Sequence, residues 1–372
     1  MNSIARIARV SSLLSLAFLT GMTSAAAPTV NITLVYDAAG PFDKATNEAA
    51  TTGLERAVRE HGLPYTTATA TDTADLLRQL RVAAKSGSSL IIATGRDSAE
   101  ALSSVAKEFP SVRFVGVDTL PKGTNTVGLR FREQEGAFLA GYLAANVSST
   151  HVLGVVASAN DAVARKYRAG FKAGVVFACP DCRVLVTEVP AQSDVVVVSN
   201  FAKKQYAQGA DIVLAAVGAN NRSVVTAATA VQCLREATLP KGVTFRDDQY
   251  AKVPRSDPYK ADCKGNTRPV FAIATDSSNL DSAGDSDVDR KTLNHTLTSI
   301  VKRTDNAVFT LVTEVAQGKP WRTGERGFGL QNDGVELSLG DFNTALITKE
   351  LLAKVKKVEK LILGGTVKVP VQ

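Results

Sequence analysis

Val30-Asn31-Ile32-Thr33-Leu34-Val35-Tyr36-Asp37 is a β-branched, apolar run that ends on a carboxylate. The next periodic stretch, Asn47 to His61, places Ala50, Leu54, Ala57 and Val58 on one helical face and stops near Gly62 and Pro64. A buried strand followed by an amphipathic helix is half of a βαβ unit, and the same alternation continues downstream. Thr73 to Ser86 reads as a helix, and Ser89 to Ala93 as a strand ending at Gly95. Ser98 to Phe109 is a helix closed by Pro110, and Val112 to Val117 a strand ending at Asp118. Thr126 to Leu129 adds a strand and Glu133 to Val147 a helix.

A second round follows. Its strands are Val152 to Ala157, Arg183 to Glu188, Ile212 to Ala216 (ending at Gly218) and Val270 to Ala274 (ending before Asp276). Its helices are Ala162 to Val176, Val196 to Gln208, Val224 to Glu236 and a long one from Lys291 to Gln317. Thr238 to Arg268 is a Pro-, Asp- and Lys-rich insertion, and Asp281, Asp285, Asp287 and Asp289 mark an acidic loop. Strand–helix alternation implies a parallel sheet with right-handed crossovers and helices on both faces. Two rounds imply an α/β protein of two doubly wound parallel-sheet lobes. Ligands of open α/β sheets sit beyond the carboxyl ends of the strands. Those ends carry Asp37, Gly95, Asp118, Gly218 and Asp276, residues that also suit turns and helix caps.

Composition sets the outer bounds. The 372 residues are 45% apolar and 21% charged, which supports large cores and argues against a disordered chain. The formal charge is +7, with basic residues scattered. Lys354, Lys356, Lys357 and Lys360 read as the solvated face of a terminal helix rather than a nucleic-acid patch. His61, His151 and His295 are far apart, so no metal site or catalytic triad is indicated. Residues 1–26 have the form of a signal peptide: Arg6 and Arg9, then the apolar run Val10 to Leu19, then Ser24-Ala25-Ala26. Loss of Arg6 and Arg9 takes +7 to +5. The expected product is soluble and periplasmic or extracellular. In an oxidising space Cys179, Cys182, Cys233 and Cys263 read as two disulfides. Of three possible pairings, Cys179–Cys182 across the Cys-Pro-Asp-Cys turn and Cys233–Cys263 across the insertion are favoured.

Several segments, in order, resemble the basic-membrane-protein family of exported nucleoside-binding proteins that feed ABC transporters. Asp37 to Asn47 is similar to that family's D-x-G-x-x-D-D-K-S-F-N opening. Leu90 to Asp118 follows its strand, Gly, helix, A-x-x-[FY]-P and F-x-x-x-D run. Phe131 to Ala145, Tyr206 to Asp211 (Y-x-x-G-A-D) and Ser299 to Val308 (S-x-x-K-x-x-D-x-A-V) complete the set. The resemblance implies a type I periplasmic-binding-protein fold, with lobe 1 at 27–148 plus 292–325 and lobe 2 at 149–291 plus 326–372. It implies ribose contacts from a strand-end Asp, here Asp276, and from a Lys on the following helix, here Lys302. Asp43 and Asn47 match its polar base contacts. It implies a small nucleoside-like ligand, a membrane permease as partner, a monomer, no cofactor and no catalysis. No G-x-S-x-G or H-E-x-x-H points to an exported hydrolase.

The departures bear on the ligand. Two aromatics that sandwich a purine in the family fall here on Thr46 and Gln192, and Arg96 follows Gly95 where an aromatic is common. Gly218 opens Gly-Ala-Asn-Asn-Arg instead of a glycine-rich run. Either Tyr36, Phe42 or the Arg96 guanidinium plane supplies a stacking surface, or the ligand is a sugar, a pyrimidine nucleoside or an anionic metabolite. An orphan sensor with an altered pocket is the further alternative. The candidate ligand set is Asp37, Asp43, Asn47, Gly95, Arg96, Gly218, Asp276 and Lys302.

Overall fold

The computed structural model describes residues 30–190, 193–246, 250, 253–276, 284, 292–339 and 343–372. The signal segment 1–26, Gln192 and the acidic residues Asp281, Asp285, Asp287 and Asp289 lie outside the described residues.

The first sheet contains β1 (Ile32–Tyr36), β2 (Tyr65–Thr69), β3 (Leu90–Ala93), β4 (Arg113–Val117) and β5 (Thr126–Phe131). The second contains β6 (Val152–Ser158), β7 (Arg183–Val189) and β8 (Ile212–Ala216). A separate antiparallel pair, β9 (Cys233–Arg235) and β10 (Thr267–Pro269), precedes the remaining members, β11 (Phe271–Thr275) and β12 (Thr296–Lys302). Two late strands, β13 (Gly324–Phe328) and β14 (Val335–Ser338), add one edge to each sheet. The orders are β13-β5-β4-β3-β1-β2 and β14-β12-β11-β8-β6-β7, so the two halves repeat one winding. Within these two sheets every pairing among the described residues is parallel except β12–β14. Central strands such as Leu90–Ala93 and Ile212–Ala216 are buried at every position, which explains their continuous apolar sequence.

The helix Glu133–Val147 is buried almost all round because it packs on the helix Ala162–Ala178, on β12 and β14, and on the terminal helix Lys349–Leu363. Glycines permit the close crossing: a Cβ on Gly141 would lie 2.2 Å from the Phe171 carbonyl oxygen, and one on Gly174 2.0 Å from that of Phe138. Lys354, Lys356, Lys357 and Lys360 are exposed on the terminal helix. Both disulfides form in the expected pairing, Cys179–Cys182 and Cys233–Cys263, the second beside the β9–β10 ladder.

Three expectations need correction. The helix expected from Lys291 to Gln317 is a strand, Thr296–Lys302, followed by a shorter helix, Thr304–Ala316. The β-branched Thr296, Thr298, Ile300 and Val301 favour an extended backbone once a sheet surface is available on each side. That strand pairs with β11 and β14, so Lys302 belongs to the second sheet and sits at a strand end, not on a helix. The helix expected from Val224 to Glu236 spans Asn221–Val231, and Cys233–Arg235 is a strand. The sequence reading also passed over β2, β13 and β14, edge strands whose half-exposed residues, as in Tyr-Thr-Thr-Ala-Thr, carry little apolar signal.

The chain passes from one sheet to the other between Phe131 and Glu133, between Lys302 and Thr304, and between Phe328 and Val335. The helix Thr304–Ala316 packs on Thr46–His61 in the first half, whereas Glu133–Val147 packs in the second.

His295, fully buried just before β12, lies with Nδ1 2.7 Å from the Val270 carbonyl oxygen. Burial lowers its pKa to about 4, against a smaller opposing effect of the Val270 bond. The folded protein therefore holds this ring neutral while the unfolded chain takes up a proton near pH 6.5. Its contribution is full above pH 6.5 and is lost as pH falls toward 4, by about 3 kcal/mol in total. Urea melts between pH 7 and 5 should show this loss, and His295→Gln should flatten it. An unchanged slope in the variant would assign the acid sensitivity to other groups.

Candidate functional site

The carboxyl ends of both sheets face a cavity of about 650 Å³. In the first sheet Asp37 and Gly95 follow β1 and β3, the adjacent strands at which the winding reverses, where open α/β sheets bind ligands. The second sheet repeats the arrangement. Asp118 after β4 corresponds to Asp276 after β11, and Gly95 after β3 to Gly218 after β8. All four have positive φ: 61°, 66°, 96° and 59° respectively. The two Asp share a backbone device as well, since Asp118 N–H donates to the Leu129 carbonyl and Asp276 N–H to the Ile300 carbonyl, each on the neighbouring strand. At Gly95 a Cβ would come within 3.1 Å of the Asp37 side chain, so glycine lets that turn pass close beneath the carboxylate.

Seven of the eight candidate ligand residues line the cavity: Asp37, Asp43, Gly95, Arg96, Gly218, Asp276 and Lys302. Asn47 is buried behind it, where its Nδ2 donates to Asp37 Oδ1 and to the Gly40 carbonyl, both at 2.8 Å. It holds Asp37 from there, and its own Oδ1 has no hydrogen bond among the described residues. Asp43 has a structural duty too: its carboxylate accepts from the N–H groups of Ala45, Asn47 and Glu48, capping the helix Thr46–His61.

Lys302 is the centre of the charge cluster. Its Nζ donates to Asp118 Oδ2 at 2.7 Å and lies 3.1 Å from Asp276 Oδ1. Burial opposes its charge, but Asp118 and Asp276 outweigh burial and raise its pKa. Burial likewise pushes the Asp118 carboxyl up, and Lys302 and Arg96 override it to hold the group below the usual carboxylate range. Tyr167 donates from its hydroxyl to Asp276 Oδ1 at 2.7 Å, and burial followed by the Asp276 charge keeps that phenol protonated. Among the described residues, no hydrogen bond reaches Asp276 Oδ2, which lies 3.8 Å from Arg96 Nη2. Glu133 is buried beneath, paired with Lys166 at 2.8 Å. Burial raises its pKa against the pull of Lys302 and Lys166.

The sequence reading noted Asp118 only as a strand end and did not assign Tyr167, Asp161 or Arg222. Arg222 lines the cavity. Asp161 follows β6 much as Asp37 follows β1, a signal visible in the repeat of windings; Tyr167 reaches the site from mid-helix and carries no such signal. Of the proposed substitute rings, Tyr36 is buried with its hydroxyl 2.7 Å from Thr51 Oγ1, and Phe42 is exposed and outside the lining. Among the described residues the lining holds no aromatic side chain. It balances four carboxylates (Asp37, Asp43, Asp118, Asp276) against four cations (Lys44, Arg96, Arg222, Lys302). Elsewhere, His151, Cys179 and Cys182 lie within 4.8 Å of one another, but both sulfurs are taken up in the disulfide, which leaves one imidazole and no basis for a metal site.

Comparison with known proteins agrees with this geometry. The family described as Bmp, ABC transporter substrate-binding protein PnrA-like, matches residues 29–233. A CD4+ T-cell-stimulating antigen of Listeria innocua is 28% identical over 91% of this chain and 87% of its own length. The ABC transporter nucleoside-binding protein BmpA of Lactococcus lactis is 25% identical over 91% and 88%. A solved ABC transporter solute-binding protein from Aeropyrum pernix superposes with a TM-score of 0.67 at 20% identity, covering 92% of this chain and 94% of its own. The shared fold is the type I periplasmic-binding-protein fold.

Proposed function

This chain belongs to the Bmp family of PnrA-like ABC transporter substrate-binding proteins, and from that premise we propose that it captures a nucleoside or a nucleoside-like polyol between its lobes and delivers it to a membrane permease. The observation that carries the ligand class is the polar pair at the cavity wall. Asp276 Oδ2 is an acceptor with no hydrogen bond among the described residues, and Lys302, held by Asp118, keeps further N–H donor capacity beside it. Vicinal hydroxyls of a ribose can donate to the first and accept from the second. The cavity volume suits a ligand of this size. The BmpA relative is named as nucleoside-binding, which supports the same reading.

A non-purine ligand is the second reading, favoured by the lack of an aromatic side chain in the lining among the described residues. A pyrimidine nucleoside or a free sugar needs less stacking area. The balanced charge of the lining favours an uncharged ligand over an anionic one.

The proposed lobes divide where the chain changes sheets, near 132, 303 and 329–334, and closure is a hinge motion about these three strands of chain. We place the protein outside the cytoplasm as a monomer that binds without chemical turnover. The residue 1–26 pattern and the two disulfides support export, and among the described residues no helix is long and apolar enough to cross a membrane.

A thermal-shift panel tests the ligand class. Saturating purine or pyrimidine nucleoside should raise the melting temperature, because a ligand at 100 times its Kd contributes about 2.7 kcal/mol to the native state. Chromatography of the bound ligand should return it intact. A shift with pentoses alone would move the ligand to free sugars, and appearance of free base would replace binding with hydrolysis.

A further inference from the structure

We infer that Arg96 is a positioning residue that ties the two lobes together across the cleft before ligand arrives. The inference rests on the reading of this cleft as the ligand site. Arg96 opens the short turn after β3, on the first sheet, and Thr119 Oγ1 donates to its carbonyl at 3.0 Å, fixing the backbone. Its side chain reaches three carboxylates. Nε donates to Asp118 Oδ2 at 3.2 Å within the same half. Nη1 donates to Asp161 Oδ2 at 2.8 Å, and Nη2 lies 3.8 Å from Asp276 Oδ2. Asp161 and Asp276 follow β6 and β11 and belong to the other half.

Asp161 is not a loose partner. Its Oδ1 accepts from the N–H groups of Val163 and Ala164, at 2.7 and 3.0 Å, and so caps the helix Ala162–Ala178. Capping fixes that carboxylate and leaves Oδ2 aimed across the cleft. Every nitrogen of the planar fork then faces a carboxylate. A lysine offers a point charge in place of this rigid fork, and a ring offers no donor to either lobe. The contacts are unequal in a useful way. The short bond to Asp161 carries the tie, while the long contact to Asp276 leaves Oδ2 open to a ligand hydroxyl. Ligand can therefore engage Asp276 without undoing the tie.

A closed state already populated removes part of the cost of closure, since apparent affinity scales with the competent fraction. Charge-assisted bonds at a part-exposed arginine are weakened by salt. Small-angle X-ray scattering of the unliganded protein reads this directly. The wild type should be compact at low ionic strength and should expand toward 1 M salt. Arg96→Ala and Asp161→Asn should both show the expanded radius of gyration at low salt and little further salt response, and Arg96→Lys should fall between. Asp161→Asn keeps a competent helix cap, so expansion there isolates the tie from folding defects. Apparent Kd for whichever panel compound binds should rise on the order of tenfold in Arg96→Ala.

Equal radii in the wild type and Asp161→Asn, or a wild type that is expanded or salt-independent when unliganded, would overturn the tie. Scattering of the unliganded protein decides this without any ligand. Failure of nucleosides to bind would show in the panel instead and would overturn the ligand reading alone.

Discussion

Lys302→Met should destabilise the protein by about 3–5 kcal/mol and abolish ligand capture. The lysine is buried with Asp118 and Asp276 at 2.7 and 3.1 Å, and the Phe131 ring lies 5.8 Å from its Nζ. Methionine fills a similar volume, so the loss is not a cavity effect. It comes from leaving two carboxylates with Arg96 as their remaining ion-pair partner among the described residues, one of them, Asp118, almost wholly buried. Among the described residues, Asp118 Oδ1 already lacks a hydrogen-bond partner. The sign with pH follows. Lys302 helps hold the Asp118 carboxyl below its ordinary range, so the wild-type pair contributes stability above that range and loses it only as acid protonates Asp118. In the variant Asp118 titrates higher, and the damage should shrink as pH is lowered toward 4. Adding Asp118→Asn should recover part of the loss, because a neutral partner no longer needs the cation. Urea denaturation checks both, and a loss below 1 kcal/mol for the single variant would mean that water or Arg96 compensates the charge.

Asp276→Asn should cut ligand affinity by roughly 100-fold or more while leaving the fold intact. Asparagine tolerates the left-handed backbone at this position (φ 66°) and can still accept from Tyr167. What is lost is the second carboxylate oxygen as acceptor for the ligand and the charge opposite Lys302. A hydrogen bond to a charged group contributes about 1.5–3 kcal/mol, and two such bonds to adjacent hydroxyls account for the expected change. Isothermal titration with the best panel compound measures it. Asp276→Asn binding at wild-type strength would remove this carboxylate from the site, and with it the ribose-type reading. Asp276→Ala is the less informative variant, because alanine at positive φ adds backbone strain to the loss of contacts.

The contrast between Lys302 and Arg96 shows where reading along the chain stops. A motif points to Lys302 as a site residue, yet the spacing of its segment predicts a helix. Thr-Leu-Thr-Ser-Ile-Val-Lys runs into a helical stretch without a Gly or Pro break, and the β-branched preference decides only when β11 and β14 are there to pair with it. For Arg96 the sequence offers a substitute stacking plane or a contact to a non-purine ligand. Its partners are 22, 65 and 180 positions away, and no local pattern announces them. Asn47 carries a local signal, a polar residue opening a helix, but only the turn at Gly40 and Asp37 shows which groups its amide meets.

The alternation of strands and helices, the doubling of the winding and the acidic and glycine ends of the strands are legible in the sequence, and the four cysteines narrow to a favoured pairing among three. Each rests on local physics: side-chain period, β-branching, caps, and the cysteines' nearness across a turn or an insertion. Tertiary structure alone decided which half each late segment joins, that Lys302 ends a central strand, and that Asp118, Asp161 and Asp276 converge on one lysine and one arginine. Those outcomes depend on folding two sheets against each other, which brings buried charges together over separations that no periodicity along the chain encodes.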